Sequence, residues 1–483
     1  MGLAFVPLYV KYLGIESYGL IGLFAILQAW LELLDLGMRP ALGREMARFT
    51  AGAHDADSIR DLLRTVEVIA SGMATILAVI LWAASKWIAT DWLSSHNLPT
   101  PMVARAIALM GAVIALRFIE ALYVSSLVGL QRQQLEAAVT STLATVRGVG
   151  AVAVLAWISP TITAYFLWQL GISIVTVAIF AVLVHHVLPR GARPSRFSWN
   201  PLLAIWRFAA GMTVITLLAI LLTQIDKILM TRLLSLQAFG YYALAAVVAN
   251  ALVMVTAPIS AAFYPRFTEL ATLGEDHALR TLYHKGSQMV AVLTGSAAVI
   301  LILFARKIIL LWTRNPSVTD HVAPLVAVLS FGTLLNALMA MPYQLQLAHG
   351  WTTLAIRVNA AAVFVLIPII LWAVPTYGAI GAAWSWVFLN LGYVLITISL
   401  MHKRLLQGEK WRWYRDDVAV PILAAAVVGL IFRFVLPPDV GRAAVLAGIA
   451  LASVAVLVTA SMSAPLMRRQ LAHYLPRGFA RAV

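Results

Sequence analysis

Apolar residues come in long runs broken by short polar stretches, each run near the ~20 residues that carry a helix across a bilayer core. Alternation over roughly ten-residue segments, the signature of a membrane β-barrel, is absent. The pattern predicts spans at Met1–Leu13, Ser17–Gly37, Val66–Thr90, Val103–Leu130, Leu135–Ile158 and Thr161–Leu188. A second set follows at Trp206–Leu233, Ala238–Phe263, Gly286–Trp312, His321–His349, Thr352–Val374 and Tyr377–Met401, with two more at Val418–Leu436 and Ala443–Ala464. Together they predict an all-α polytopic membrane protein with about 14 transmembrane helices, in two six-helix lobes plus two C-terminal helices. The domain expectation is a lobe at 1–188, a Pro/Arg/Ser-rich cytoplasmic linker at 189–205, a lobe at 206–401, and two helices with a basic cytoplasmic tail at 402–483. Met1–Leu13 would reach only ~20 Å as a helix against a core of ~30 Å, so the first helix is expected to be truncated.

The lobes read as pseudo-repeats. A shift of 221 positions brings Lys11 onto Arg232, Glu16 onto Gln237 and Tyr18-Gly19 onto Phe239-Gly240. An amphipathic helix is expected between Met38 and Arg64, and Trp411, Trp413 and Tyr414 are expected at the lipid headgroup level.

Composition removes the soluble alternatives. Of 483 residues, 62% are hydrophobic and 11% charged, more apolar surface than a soluble fold of this length could bury. The net charge of +15 follows membrane topology, because most lysines and arginines fall at alternate span boundaries. The positive-inside rule makes that side cytoplasmic and puts both termini there. No basic segment accompanies a soluble domain, so nucleic acid is not an expected partner. The chain has no cysteine, and its histidines do not group with acids at metal-ligand spacing, so neither disulfide nor metal is expected. P-loop, GxSxG and HExxH motifs are missing, and no cofactor is expected.

Candidate chemistry lies in the few charges inside spans, where an ionisable group is costly and faces a partner or a water-filled cavity. Arg147, in LATVRGVGA, has no acid four residues to either side. It either contacts an anionic substrate or bridges to an acid on another helix. Arg117 and Glu120 are three apart on one helical face, a self-neutralising pair or part of a cavity wall. Asp226 and Lys227 lie about 100° apart around their helix. Gln224, Lys227 and Thr231 form one stripe there, and Thr223 and Asp226 another. Arg117, Glu120, Arg147 and Lys227 are the substrate-binding candidates. Asp226 is the candidate for H⁺ or Na⁺ coupling, against interhelical pairing for both it and Lys227. Scattered amides such as Gln28, Asn336, Asn359 and Asn390 are expected to bond helix to helix.

Four stretches carry a family resemblance: PLYVKYLGIESYGLIG at Pro7–Gly22, LDLGMRPALGREMARF at Leu34–Phe49, Gln224–Ala245, and QLQLAHGWTTLA at Gln344–Ala355. They resemble the Wzx-like O-antigen flippases of the multidrug/oligosaccharidyl-lipid/polysaccharide (MOP) exporter superfamily. The resemblance implies a bacterial inner-membrane protein working by alternating access. It implies a cargo of polyprenyl-pyrophosphate-linked oligosaccharide, with undecaprenyl as the lipid, moved from the cytoplasmic to the periplasmic leaflet for surface polysaccharide synthesis. The polysaccharide polymerase machinery is the expected neighbour, and a monomer suffices. Two other readings stay open: a cation-coupled multidrug exporter of the same superfamily, and a membrane-embedded glycan polymerase or ligase.

Overall fold

The computed structural model describes residues 2–31, 38–50, 52, 54–93, 98–198, 224, 227–351, 353–436 and 441–474. Nearly all of these are helical. The helices are α1 Gly2–Leu31, α2 Met38–Thr50, α3 Ala56–Trp92, α4 Thr100–Gly129, α5 Gln133–Ile158 and α6 Ile162–Val187. Next come α7 Leu236–Leu273, α8 Asp276–Leu303, α9 Ala305–Thr313, α10 Pro316–Ala348 and α11 Thr353–Tyr377. The chain continues through α12 Ala379–Leu405, α13 Lys410–Val435, α14 Arg442–Ser463 and α15 Pro465–Tyr474. Among the described residues, 12 helices are long and apolar enough to cross a membrane, two fewer than the fourteen spans expected. Most of the expected Trp206–Leu233 span lies outside the described residues, and the first two expected spans are joined in α1.

That joint has a local cause. Gly14 interrupts α1 at φ 77°, ψ 167°, a conformation closed to most side chains. A straight helix would set Tyr9 and Phe24 about 22 Å apart. Instead Tyr9 packs edge-on against Tyr165, and Phe24 against the adjacent Phe166, so α1 is sharply bent. The expected amphipathic helix is present as α2, which buries Leu42 and Met46.

The chain forms two compact units, Met1–Gly240 and Tyr241–Val483. In the first, α4 is the hub against which α1, α2, α3 and α6 pack. Its start is set by Pro99-Thr100-Pro101, where proline fits the first helical turn, while Asp55 caps α3 through the Ser58 amide (2.8 Å). The stretch 189–198 lies along α3: Asp61 takes a guanidinium fork from Arg193 and the Arg196 amide (2.7 Å), and Thr65 takes the Ser198 amide (3.0 Å). The start of the expected linker is therefore tied to helix.

The stretches matched by the 221-residue shift meet inside this first unit. A methyl group on Gly19 would overlap the Leu236 carbonyl oxygen, and one on Gly240 would overlap that of Ile15. Ile15 and Leu236 are themselves matched by the shift, so the crossing is reciprocal, as at a two-fold interface between identical helices.

In the second unit the hub is α8, with α7, α10, α13 and α14 packed around it. One expectation fails here: Trp413 is fully buried, its indole N–H donating to Ser287 Oγ (3.1 Å), rather than standing at the headgroups. It opens a π-helical stretch, Trp413–Ala419, and packs against His402 and Tyr414. Trp411 is 75% exposed and does face outward.

Candidate functional site

Three of the five candidates converge in the first unit. Arg117 and Glu120 project from α4, and Arg147 from α5. Glu120 does not pair with Arg117, its neighbour on the helix. Its carboxylate lies 3.5 Å from Arg147 Nη2, an interhelical charge contact. The acid on another helix that Arg147 needs is thus Glu120, although both side chains remain 18% exposed.

Arg117 is held by neutral groups. Its Nη1 donates to Gln28 Oε1 (2.5 Å) on α1 and its Nη2 to Gln169 Oε1 (3.5 Å) on α6, while the guanidinium stacks 5.0 Å from the Phe24 ring centroid. Arg147 Nη2 also reaches Thr176 Oγ1 (3.4 Å), and Trp168 Nε1 donates to the Arg147 carbonyl (3.0 Å). Glycine makes room on α5: a methyl on Gly148 would strike Phe5, and one on Gly150 would strike Trp168.

The cluster therefore holds two guanidiniums and one carboxylate, which pairs with Arg147, an excess of one positive charge between apolar helices. The cluster is also under-bonded. Arg117 Nε and Arg147 Nε are buried without hydrogen-bond partners, and Glu120 Oε2 has its ion pair with Arg147 but no hydrogen bond; a buried polar group left unpaired ordinarily costs about 1–3 kcal/mol. Such an arrangement can receive an anion with several acceptor oxygens, because the guanidinium fork matches phosphate geometry.

Lys227 is bonded elsewhere. It donates from Nζ to Gln224 Oε1 (3.0 Å), its predicted stripe partner, and Thr231 on the same stripe accepts from Trp92 Nε1 (3.2 Å). Asp226 lies outside the described residues. Gln28 was legible only as a helix-bonding amide. Gln169 and Thr176 had no signal in the sequence, since each is polar in an otherwise apolar run and gains meaning only beside an arginine.

A second ionisable cluster, in the second unit, escaped sequence reasoning altogether. His284 on α8 bonds Asp417 Oδ2 through Nδ1 (2.5 Å) and Glu409 Oε2 through Nε2 (3.1 Å). Gln288 donates to the other Asp417 oxygen (2.9 Å) and accepts the Leu466 amide (2.8 Å). Arg412 and Arg280 flank Glu409 at 3.4 and 3.6 Å. Burial pushes the Glu409 carboxyl up, but His284 and then Arg412 outweigh it and hold it below the ordinary carboxylate range. The members come from three helices and a loop, so no local spacing announces them. No group of three His, Cys, Asp or Glu suited to a metal occurs among the described residues.

Membrane-length helices in two hub-centred units, the first holding an unbalanced charge cluster, make a fold that recurs among membrane transporters. It is that of the MOP exporter superfamily. The fold superposes on the lipid II flippase MurJ in its inward closed conformation with a TM-score of 0.68, covering 97% of each chain at 13% identity. It also matches an inward-facing multidrug resistance MATE transporter of the MOP superfamily, with a TM-score of 0.67 over 83% of this chain and 95% of that one at 14% identity. A putative O-antigen transporter of Shigella flexneri is 19% identical over 378 residues, 77% of this chain and 87% of the relative. The family model described as polysaccharide biosynthesis protein matches residues 1–271, more than half the chain, and the chain belongs to that family.

Proposed function

We propose that this protein is a flippase for a lipid-linked oligosaccharide in surface polysaccharide synthesis. It carries a polyprenyl-pyrophosphate-linked glycan, with undecaprenyl as the lipid, from the cytoplasmic to the periplasmic leaflet of a bacterial inner membrane. The observation that carries this reading is the Arg117–Glu120–Arg147 cluster, with two half-buried guanidiniums, one carboxylate and unmet hydrogen-bonding capacity at both Nε atoms inside a membrane-spanning unit. A pyrophosphate cannot enter hydrocarbon without replacing its hydration, and fixed guanidiniums are the side chains best suited to do so. The lipid tail needs no such help and can stay in the bilayer. Family membership and the Shigella relative support the cargo class.

In this mechanism Arg147 and Arg117 bind the diphosphate, and Glu120 keeps the binding reversible by partly neutralising Arg147. Binding must be weak enough for release on the far side, which a fully cationic pocket would oppose. Alternating access then exposes the bound headgroup to each leaflet in turn, with H⁺ or Na⁺ as coupling ion. Both termini are cytoplasmic under the positive-inside rule, a monomer suffices, and polysaccharide polymerase machinery receives the product.

Deletion of the gene, followed by analysis of surface glycan and lipid-linked intermediates, tests the reading. The expected result is loss of one surface polysaccharide, with its repeat unit retained on lipid in the cytoplasmic leaflet. Unchanged glycans together with lost tolerance to cationic compounds would replace this reading with drug export. Repeat units that reach the periplasm unpolymerised would replace it with a polymerase.

A further inference from the structure

The second unit contains a cavity of about 320 Å³ whose chemistry is unlike that of the arginine cluster. Its wall comes from α7, α10, α11 and α12 and contains no Asp, Glu, Lys, Arg or His. Its surface is mostly apolar, with neutral hydrogen-bonding groups set into it, chiefly Thr256, Asn336, Gln346, Asn359, Tyr393 and Thr397. Two irregularities shape this wall. α10 breaks at Met339, and Tyr393 and Thr397 bracket a π-helical turn in α12, a local distortion often found at functional sites.

The wall has hydrogen-bonding capacity to spare. Gln346 is 1% exposed and Thr397 4%, yet Gln346 Oε1 and Thr397 Oγ1 have no partner. Asn336 spends its amide N–H on Asn390 Oδ1 (2.8 Å), leaving its carbonyl available. Asn359 accepts the Tyr393 hydroxyl (2.9 Å), leaving its NH₂ available. A spare acceptor on Asn336 and a spare donor on Asn359 therefore belong to one wall, with the unpartnered Gln346 Oε1 and Thr397 Oγ1 buried in it. A hydroxyl is both donor and acceptor and matches such a mixture. A charged ligand would find no counter-charge here, and an alkyl chain would suit the apolar share of the wall but leave Gln346 Oε1 and Thr397 Oγ1 unmet. The volume lies at the small end of the ~300–1,000 Å³ usual for small-molecule sites, room for a sugar ring and not for a whole repeat unit.

We propose that this cavity is a separate subsite for one uncharged sugar residue of the cargo. The assignment rests on the flippase reading and extends it: the arginine cluster takes the anionic headgroup, while the neutral cavity reads the glycan. Variation in its wall, rather than in the arginines, would then set which glycan is accepted.

Purified protein in lipid nanodiscs, titrated with neutral methyl pyranosides and observed by saturation-transfer NMR, tests the proposal. The probes are a hexose, a 6-deoxyhexose and an N-acetylhexosamine, compared with a methyl glucuronide and an alkyl phosphocholine. At least one neutral glycoside is expected to bind, with Thr397→Val and Gln346→Leu each weakening it about tenfold. The thermal midpoint of Thr397→Val should stay level or rise, because it removes a buried hydroxyl that has no partner to lose. A purely structural role would instead lower the midpoint. Failure of every neutral glycoside to bind, equal binding by the variants, or preference for the glucuronide or the alkyl chain would overturn the subsite. The deletion phenotype is a separate readout: retained intermediates without glycoside binding sink only the subsite, whereas glycoside binding with unchanged glycans sinks the flippase reading.

Discussion

The two buried ionisable clusters have similar ingredients and opposite bookkeeping. In the first unit, Arg117 Nε and Arg147 Nε are buried and unbonded, Glu120 Oε2 has only its ion pair with Arg147, and one positive charge is uncompensated. In the second unit, His284 holds a carboxylate on each ring nitrogen, and Asp417 has both oxygens bonded. The second cluster spends all its capacity within the protein, drawing α8, α13 and the start of α15 together. It is a staple. The first retains capacity for something else, and it sits where a membrane protein can least tolerate waste. What separates a site from a staple here is therefore unmet hydrogen bonding, since burial and charge are common to both.

The largest expected effect comes from cutting the staple. Asp417→Ala leaves His284 and Gln288 buried without their shared acceptor, and loss of one partner of a buried pair costs roughly 3–5 kcal/mol. Thermal unfolding of the purified variant should show a steep fall in midpoint, with reduced abundance in membranes. Normal stability would erase the distinction between the clusters.

Next come the arginines, with the opposite signature. Arg147→Ala and Arg117→Ala should each lower transport by about tenfold or more, the scale of one lost charge-assisted contact. Membrane abundance should stay close to that of the unaltered protein. Arg117→Lys sharpens the point. It keeps the charge and loses the fork and the stacking on Phe24, so export should recover only in part.

A smaller effect concerns packing. Gly240→Leu forces a side chain into the Ile15 carbonyl, and Gly19→Leu does the same at Leu236. Each should lower the unfolding midpoint. Because the crossing is reciprocal, the two losses should be similar in size, and the double variant should lose less than their sum.

The smallest is a pH effect. Glu409 is held below its ordinary value, so its contribution to stability is present above ~4.3 and fades as pH falls through its folded-state value. Partial exposure screens the contribution. Acid unfolding of Glu409→Gln, followed by circular dichroism, should be shallower below that pH than that of the unaltered chain.

Much of this fold is legible from hydrophobic run length, because a helix that must cross a bilayer announces itself over some 20 residues. The repeat shift likewise paired stretches that meet as near-equivalents at Gly19 and Gly240. Boundaries were less legible. α3 begins at Ala56, ten residues before the apolar run at Val66, because the stripe of Asp57, Asp61 and Thr65 is satisfied by residues 191–198. Within the site, charge inside a span singled out Arg117, Glu120 and Arg147, but the three-residue spacing suggested the wrong partner for Glu120. Helix neighbours can be read from sequence; contacts across helices cannot. The same limit hid His284, whose carboxylates lie more than a hundred residues away, and the neutral cavity, where asparagine, glutamine and threonine look like ordinary interhelical bonding groups.

The central claim is that the arginine cluster handles the cargo's anionic headgroup. Its most direct measurement is complementation of the deletion host with Arg147→Ala at matched membrane abundance, reading out the leaflet in which the lipid-linked repeat unit resides. The account predicts intermediates retained on the cytoplasmic side and little surface glycan. Full restoration of surface glycan by this variant would contradict it.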